Sequence, residues 1–293
     1  MTVRALETAA RPAALPLARA AGAASLVLLL AVIYFRTVHA LWSVWMTNDN
    51  YSHGPLVPLV SLVLAWRRRD RLAAARLVPD ARGTLLVALA CALQVAGMRA
   101  DVLALQGYSL VLVLLGLVLT FLGTAGLRVL AFPIGYLVFM LTFPPIIVNR
   151  LGFALKEVAV GLSTRAAEAL GVTLQRDGMS LFVASGELRV EHPCSGLRSL
   201  IALLGIGTLM AAHLEAGTVR RVVLVLLAIP VAIAVNTLRM TLLIVVAHYA
   251  GVGRATGRLH DVSGLLLYAL ALAIMFGLFT ALSRRRAGAR AHA

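Results

Sequence analysis

Apolar runs close to the length that a helix needs to cross a bilayer, about 20 residues, recur along this chain, each cut off by arginines, prolines or a polar turn. They fall at 20–38, 55–66, 84–98, 102–123, 127–148, 197–214, 222–246 and 262–282. The pattern predicts an all-α polytopic membrane protein with about eight transmembrane helices. The second run is short and crosses only if the loop before it re-enters the membrane. The fifth passes Pro133 and meets Pro144 and Pro145, which should kink or end it.

One stretch departs from this pattern. Between 150 and 170, Arg150, Lys156, Glu157, Arg165 and Glu168 interleave with apolar positions, as in an amphipathic helix lying on a membrane surface. From 171 to 191 the apolar residues alternate in short pairs (Val172 and Leu174, Leu181 and Val183, Leu188 and Val190) around Asp177-Gly178 and Ser185-Gly186, which predicts short β hairpins. The expectation is one integral membrane domain over 1–293, with a small extracytoplasmic cap at 149–196 formed by the amphipathic helix and the hairpins.

Composition agrees with a lipid environment: the chain is 61% hydrophobic and 13% charged, with a mean hydropathy of +0.92, against roughly 45–50% apolar usage in soluble domains. Its net charge of +15 sits in short arginine-rich loops between apolar runs and forms no separate basic domain, so topology explains it and nucleic acid is excluded as a partner. The arginine clusters at the leader, 67–71, 220–221 and 284–286 place both termini in the cytoplasm. The loop after the first run, the cap and the 248–260 loop then face outward. Trp42, Trp45 and Tyr51 in that first loop suit an interfacial aromatic belt. The first run lacks a clean small-residue cleavage site and is expected to stay as an anchor.

Three chemistry-bearing residues converge on the outer leaflet. Cys194 precedes the sixth run, within V-E-H-P-C-S-G-L-R-S at 190–199, and His260 precedes the eighth. Arg239 lies 17 residues beyond Val222, about 25 Å along a helix. A membrane arginine costs at least about 2.5–3.5 kcal/mol on insertion scales, so it needs a partner or a polar cavity, and Asn236 shares its face. A cysteine near a helix N-terminus, a guanidinium and an imidazole is placed to ionise and act as a nucleophile. Ser195 and Gly196 would let backbone approach a substrate, which makes them, with Asn236, candidate substrate-binding residues. His192, His53 and His248 rival His260 for the proton-carrying role, His192 most closely. Cys91, inside an apolar run, reads as a packing residue. No metal site or other cofactor is expected, since no histidine pair has i,i+4 ligand spacing with a carboxylate.

These residues resemble those of the exosortase/archaeosortase family of membrane-embedded cysteine transpeptidases. The similarity covers most of the chain: N-D-N-Y-S-H-G-P-L-V-P-L and W-R-R-R at 48–69, F-P-x-x-x-L-x-F-x-x-x-x-P-P from Phe132, C-S-G-L-R-S-L at 194–200, N-T-L-R at 236–239 and H-D-V-S-G at 260–264. The resemblance implies Cys194 as nucleophile, completed by Arg239 as oxyanion stabiliser or thiolate partner and by His260 as proton donor or acceptor. It implies substrates too: exported proteins whose C-terminal sorting signal joins a Pro-Glu-Pro-like motif, a transmembrane helix and an arginine-rich tail, commonly encoded beside exopolysaccharide genes. The location implied is a bacterial inner (cytoplasmic) membrane with the site facing the periplasm. The residues alone also fit a transporter or an exopolysaccharide-assembly component, in which Arg239 and the histidines bind an anionic substrate. A serine protease using Ser195 or Ser263 is disfavoured, because neither serine has the flanking motif.

Overall fold

The computed structural model describes residues 14–189 and 196–291, and the protein is mostly helical over them. Ten α-helices run in order: α1 Ala14–Thr47, α2 Leu56–Trp66, α3 Arg69–Ala73, α4 Arg82–Arg99, α5 Leu103–Tyr136, α6 Pro145–Ala169, α7 Leu197–His213, α8 Thr218–Ala250, α9 Val252–Thr256 and α10 Arg258–Ala291. Among the described residues, four stretches are long and apolar enough to cross a membrane: Leu28–Thr47, Leu103–Met140, Thr218–Ala250 and Arg258–Ser283. Exposed leucines, valines and phenylalanines along these helices leave an apolar outer surface, as a lipid-facing bundle requires.

α5 is two helices in one. It breaks at Gly123 (φ 65, ψ −166), a left-handed conformation that costs glycine little. A side chain there would also strike the carbonyl of Val78. Beyond the break the chain folds back, since a Cβ on Gly107 would lie 2.9 Å from Leu141 Cδ2. In a straight helix those residues would stand about 50 Å apart. The expected fifth helix at 127–148 ends early. It passes Pro133, tightens into a 3-10 turn at Leu137–Met140 and gives way at Pro144, the N-cap of α6.

The second expected span is the shortest. α2 has 11 residues and rises about 16 Å, roughly half of the hydrocarbon core. The loop before it is tucked inward. Trp45 Nε1 donates to the carbonyl of Met140 at 2.8 Å, the amide of Phe143 donates to Tyr51 Oη at 3.1 Å, and Gly54 packs so closely on the Trp45 indole that a Cβ has no room. Trp45 and Tyr51 are therefore core residues, 7% and 3% exposed, and only Trp42 keeps the exposed position expected of an aromatic belt. Burial won because both polar ring atoms found backbone partners inside the fold.

After α6 the chain forms a three-stranded antiparallel sheet, β1 Leu174–Asp177, β2 Ser180–Val183 and β3 Gly186–Arg189. Two-residue connections set the register, Asp177 opposite Ser180 and Val183 opposite Gly186. Alternation puts Leu181, Val183 and Leu188 on one face, where they pack with Ala159 and Val160 of α6 and Met240, Ile244 and Ala247 of α8. Ser185 Oγ donates to the carbonyl of Ala247 at 2.5 Å. The sheet thus clamps the C-terminal end of α8. Below it, small and apolar residues of α7, α8 and α10, among them Leu203, Leu224, Ala228, Ala271 and Met275, form a second core.

Candidate active site

Arg239 lies 21 residues beyond the first residue of α8, so its Cα stands about 30 Å up that helix. Its guanidinium reaches the start of α10. Nη2 donates to the carbonyl of His260 at 3.0 Å and stands 3.1 Å from His260 Nε2 and 3.4 Å from Nδ1. Both ring nitrogens therefore lie within reach of one guanidinium nitrogen, which only donates. Gly264 makes the approach possible: a Cβ there would sit 3.1 Å from Nη2 and 3.3 Å from Cζ of Arg239. Ser263 Oγ donates to the same His260 carbonyl at 3.0 Å. The H-D-V-S-G stretch is therefore a first helical turn shaped to receive an arginine from α8.

Gly196 is the N-cap of α7 and holds φ 74, ψ 1. A Cβ on it would also fall 2.9 Å from Asn236 Cγ and 3.0 Å from Nδ2, so both backbone conformation and space demand glycine. Asn236 itself is buried, one turn before Arg239. It packs behind Gly196, outside the wall of the main cavity.

That cavity, of about 680 Å³, is walled by Gly196 and Arg198 of α7, Arg239, His260, and Asp49 and His53 from the inward-tucked loop. Arg198 Nη2 and Asp49 Oδ1 form an ion pair at 2.6 Å across it. His53 Nε2 lies 3.0 Å from the carbonyl of Phe139. A carbonyl only accepts, so Nε2 carries the proton; Nδ1 is buried and has no hydrogen-bond partner. Burial is the main cause that pushes the His53 imidazole below its ordinary pKa, with the Arg198 charge adding to it against the Phe139 hydrogen bond. Arg239 Nε is likewise buried without a hydrogen-bond partner. The cavity thus offers two guanidiniums, two imidazoles and a carboxylate in a partly desolvated space, a setting that favours an anion next to Arg239.

The structure brings Gly196, Arg239 and His260 to one cavity and sets Asn236 behind it. Cys194, Ser195 and His192 lie outside the described residues. His248 is not on the cavity wall; its ring meets Tyr249 edge-on at 4.7 Å. Asp49 and Arg198, both within the quoted motifs, were not singled out by sequence reasoning, and His53 was only a rival histidine. The available signal was the presence of ionisable residues inside two apolar-flanked motifs, although nothing local linked one motif to the other. Among the described residues, no three His, Cys, Asp or Glu side chains gather as a metal site would need.

The sequence profile of a family described as transmembrane exosortase matches residues 45–277. No curated protein and no solved structure matches the chain.

Proposed function

The chain belongs to the transmembrane exosortase family, and from that premise we propose that it is a membrane cysteine transpeptidase that cleaves C-terminal sorting signals through a thioacyl intermediate. At family level it is a multi-pass membrane sorting enzyme of exosortase type. The observation that carries the finer reading is the Arg239–His260 contact on the wall of a cavity that also includes Gly196. Cys194 stands two residues before Gly196 in the sequence, and this reading makes it the nucleophile.

In this reading the Cys194 thiolate attacks the scissile carbonyl, the C–N bond breaks, and the acyl group stays on sulfur until an acceptor takes it. Arg239 stabilises negative charge on the thiolate or on the developing oxyanion. His260 takes the Cys194 proton as the thiolate forms and passes it to the leaving amine. Asn236 acts through Gly196 by fixing its backbone, while Ser195 and Gly196 line the approach of the substrate chain. The substrate is an exported protein ending in a Pro-Glu-Pro-like motif, a transmembrane helix and an arginine-rich tail, and the acidic motif residue meets a cavity with two guanidiniums. The proposal includes about eight crossings of a bacterial inner membrane, both termini in the cytoplasm, and segment 149–196 as a cap on the periplasmic side.

Substrate shortening on immunoblots tests the chemistry. Cys194→Ala and Cys194→Ser should abolish it with insertion intact, whereas Cys91→Ala should process normally; continued shortening in the Cys194→Ala strain removes that residue as nucleophile. Reporter fusions test the orientation: positions Arg69, Arg221 and Arg286 should read cytoplasmic, and Asp177 and Gly253 external. A cytoplasmic signal at Asp177 would put Cys194 in the wrong compartment.

A further inference from the structure

At the opposite ends of α7 and α8 from the Arg239–His260 pair lies a second cavity, of about 460 Å³, with Arg68, Phe132, Ala212, Arg221, Val222 and Leu226 among its walls. Its two ends differ in chemistry. Arg68 and Arg221 supply the polar part, and no carboxylate lines it among the described residues. The Arg68 guanidinium stacks 5.1 Å from the centroid of the Phe132 ring, and its Nη1 is enclosed without a hydrogen-bond partner. Burial, and after it the charge of Arg71, pushes this guanidinium below the usual arginine range. Arg221 is held in place by donation from Nε to the carbonyl of Leu214 at 3.1 Å. An enclosed, unpartnered guanidinium N–H beside a second guanidinium is a costly arrangement unless an anion completes it. The apolar part is open to the outside: Val222 and Leu226 are about half exposed on the surface of α8.

We propose that this cleft binds an anionic phospholipid, the phosphate between Arg68 and Arg221 and one acyl chain along Val222, Leu226 and Phe132. Phosphate suits the charge because guanidinium groups donate in pairs to its oxygens. The lipid form of phosphate suits the walls, which a free ion would leave bare. The arginine-rich tail of a sorting signal is the wrong charge for this cleft, and a bound anionic lipid would lower the repulsion that such a tail meets there. The site involves neither Cys194 nor the Arg239 cavity, so its failure and the failure of the enzymatic reading are separate results.

Native mass spectrometry of the full-length protein, titrated with phosphatidylglycerol, phosphatidylcholine or inorganic phosphate, tests it. The wild type should retain phosphatidylglycerol in preference to phosphatidylcholine. The Arg68→Gln/Arg221→Gln protein should bind phosphatidylglycerol about thirtyfold more weakly, taking each arginine as worth about 1 kcal/mol. Arg71→Gln with Arg76→Gln, which removes the same charge outside the cleft and leaves both phosphate-binding guanidiniums, should weaken binding clearly less than the cleft pair does. Ala212→Leu keeps both guanidiniums and fills the cleft from α7; it should also lose the lipid, and it carries the test if the double variant does not insert. Equal retention of phosphatidylglycerol by the Arg68→Gln/Arg221→Gln protein overturns the site, as does equal loss in the Arg71→Gln/Arg76→Gln control. Phosphatidylcholine bound as tightly as phosphatidylglycerol overturns the phosphate assignment to the arginines. Inorganic phosphate bound as tightly as the lipid, or an Ala212→Leu protein that binds normally, overturns the acyl-chain groove.

Discussion

Among the described residues, two groups of polar side chains inside this apolar chain are finished differently. Between α1, α4 and α5, Gln94 Nε2 donates to Thr37 Oγ1 at 2.8 Å, Thr37 donates to Gln106 Oε1 at 3.1 Å, and Ser109 donates to Gln94 Oε1 at 2.8 Å. Gln106 Nε2 closes the set on the carbonyl of Gly97 at 3.3 Å. Around the Arg239 cavity, by contrast, Arg239 Nε and His53 Nδ1 remain without hydrogen-bond partners, beside about 680 Å³ of open space. A network whose members satisfy one another joins helices and has no capacity left for a substrate. Residual hydrogen-bonding capacity facing a cavity is what a binding or reacting group would use.

The strongest test of that distinction is Arg239→Lys. A lysine keeps the positive charge but cannot place one nitrogen on the His260 carbonyl and ring together while presenting others to the cavity. Substrate processing should fall by about 10²–10³-fold, the scale of losing one oxyanion donor, with the protein still inserted and folded. Near-normal processing by Arg239→Lys would mean that charge alone suffices and that the geometry at Gly264 is incidental.

His53→Gln comes next. The glutamine amide can still donate to the Phe139 carbonyl, while the unpartnered Nδ1 is lost, so processing should drop by about tenfold, below the range for removing a true acid or base. The pH response gives a second reading. Because burial lowers the folded-state pKa of His53, the unfolded chain binds the proton more readily, and stability falls as pH drops below the ordinary histidine value of about 6.5. Thermal unfolding between pH 6.5 and 5 should show this loss in the wild type and a smaller one in His53→Gln. Equal acid sensitivity in both would remove His53 as its source.

In the satisfied network the expectation reverses. Gln94→Leu removes interhelical hydrogen bonds worth about 0.6 kcal/mol each, at most about 1.7. A small drop in the thermal midpoint should come with unchanged processing per folded molecule. A processing loss without a stability loss would place the network in the reaction and erase the contrast with the cavity.

The two regions were also unequally legible in the sequence. Arg239 could be read because a membrane arginine is conspicuous, and the hairpins because Gly178 and Gly186, both with positive φ, mark turns between alternating residues. Trp45, Tyr51 and His53 could not be placed, since their partners Met140, Phe143 and Phe139 lie 86 to 95 residues away and such contacts leave no period behind. The polar network went unread for a related reason: single glutamines and serines inside apolar runs look like interruptions until three helices bring them together. Helix lengths were legible only where charge bounds them. α2 stops before the 67–71 arginines as read, whereas the end of the fifth helix depended on a 3-10 turn that Pro144 alone does not specify.

The smallest expected effect concerns the Asp49–Arg198 pair, which belongs to the cavity by position and to the surface by exposure. At 2.6 Å it is short, yet its side chains are 69% and 46% exposed, and pairs of that kind contribute about 0–1 kcal/mol. Asp49→Asn should therefore leave the unfolding temperature nearly unchanged. Its consequence lies in the cavity field: with the carboxylate neutralised, Arg198 no longer has its counter-charge, and the positive potential shared with Arg239 rises. A substrate whose sorting motif carries a glutamate should then bind more tightly, with KM lower by up to about fivefold, equivalent to about 1 kcal/mol, and kcat unchanged. Because the groups are open to solvent, the gain should shrink when ionic strength reaches about 0.5 M. A motif peptide with glutamine in place of the glutamate should show no gain at either salt concentration. If Asp49→Asn instead lowered kcat on the scale of Arg239→Lys, the exposed pair would be part of the reacting group, and exposure would no longer separate residues that steer the substrate from those that act on it.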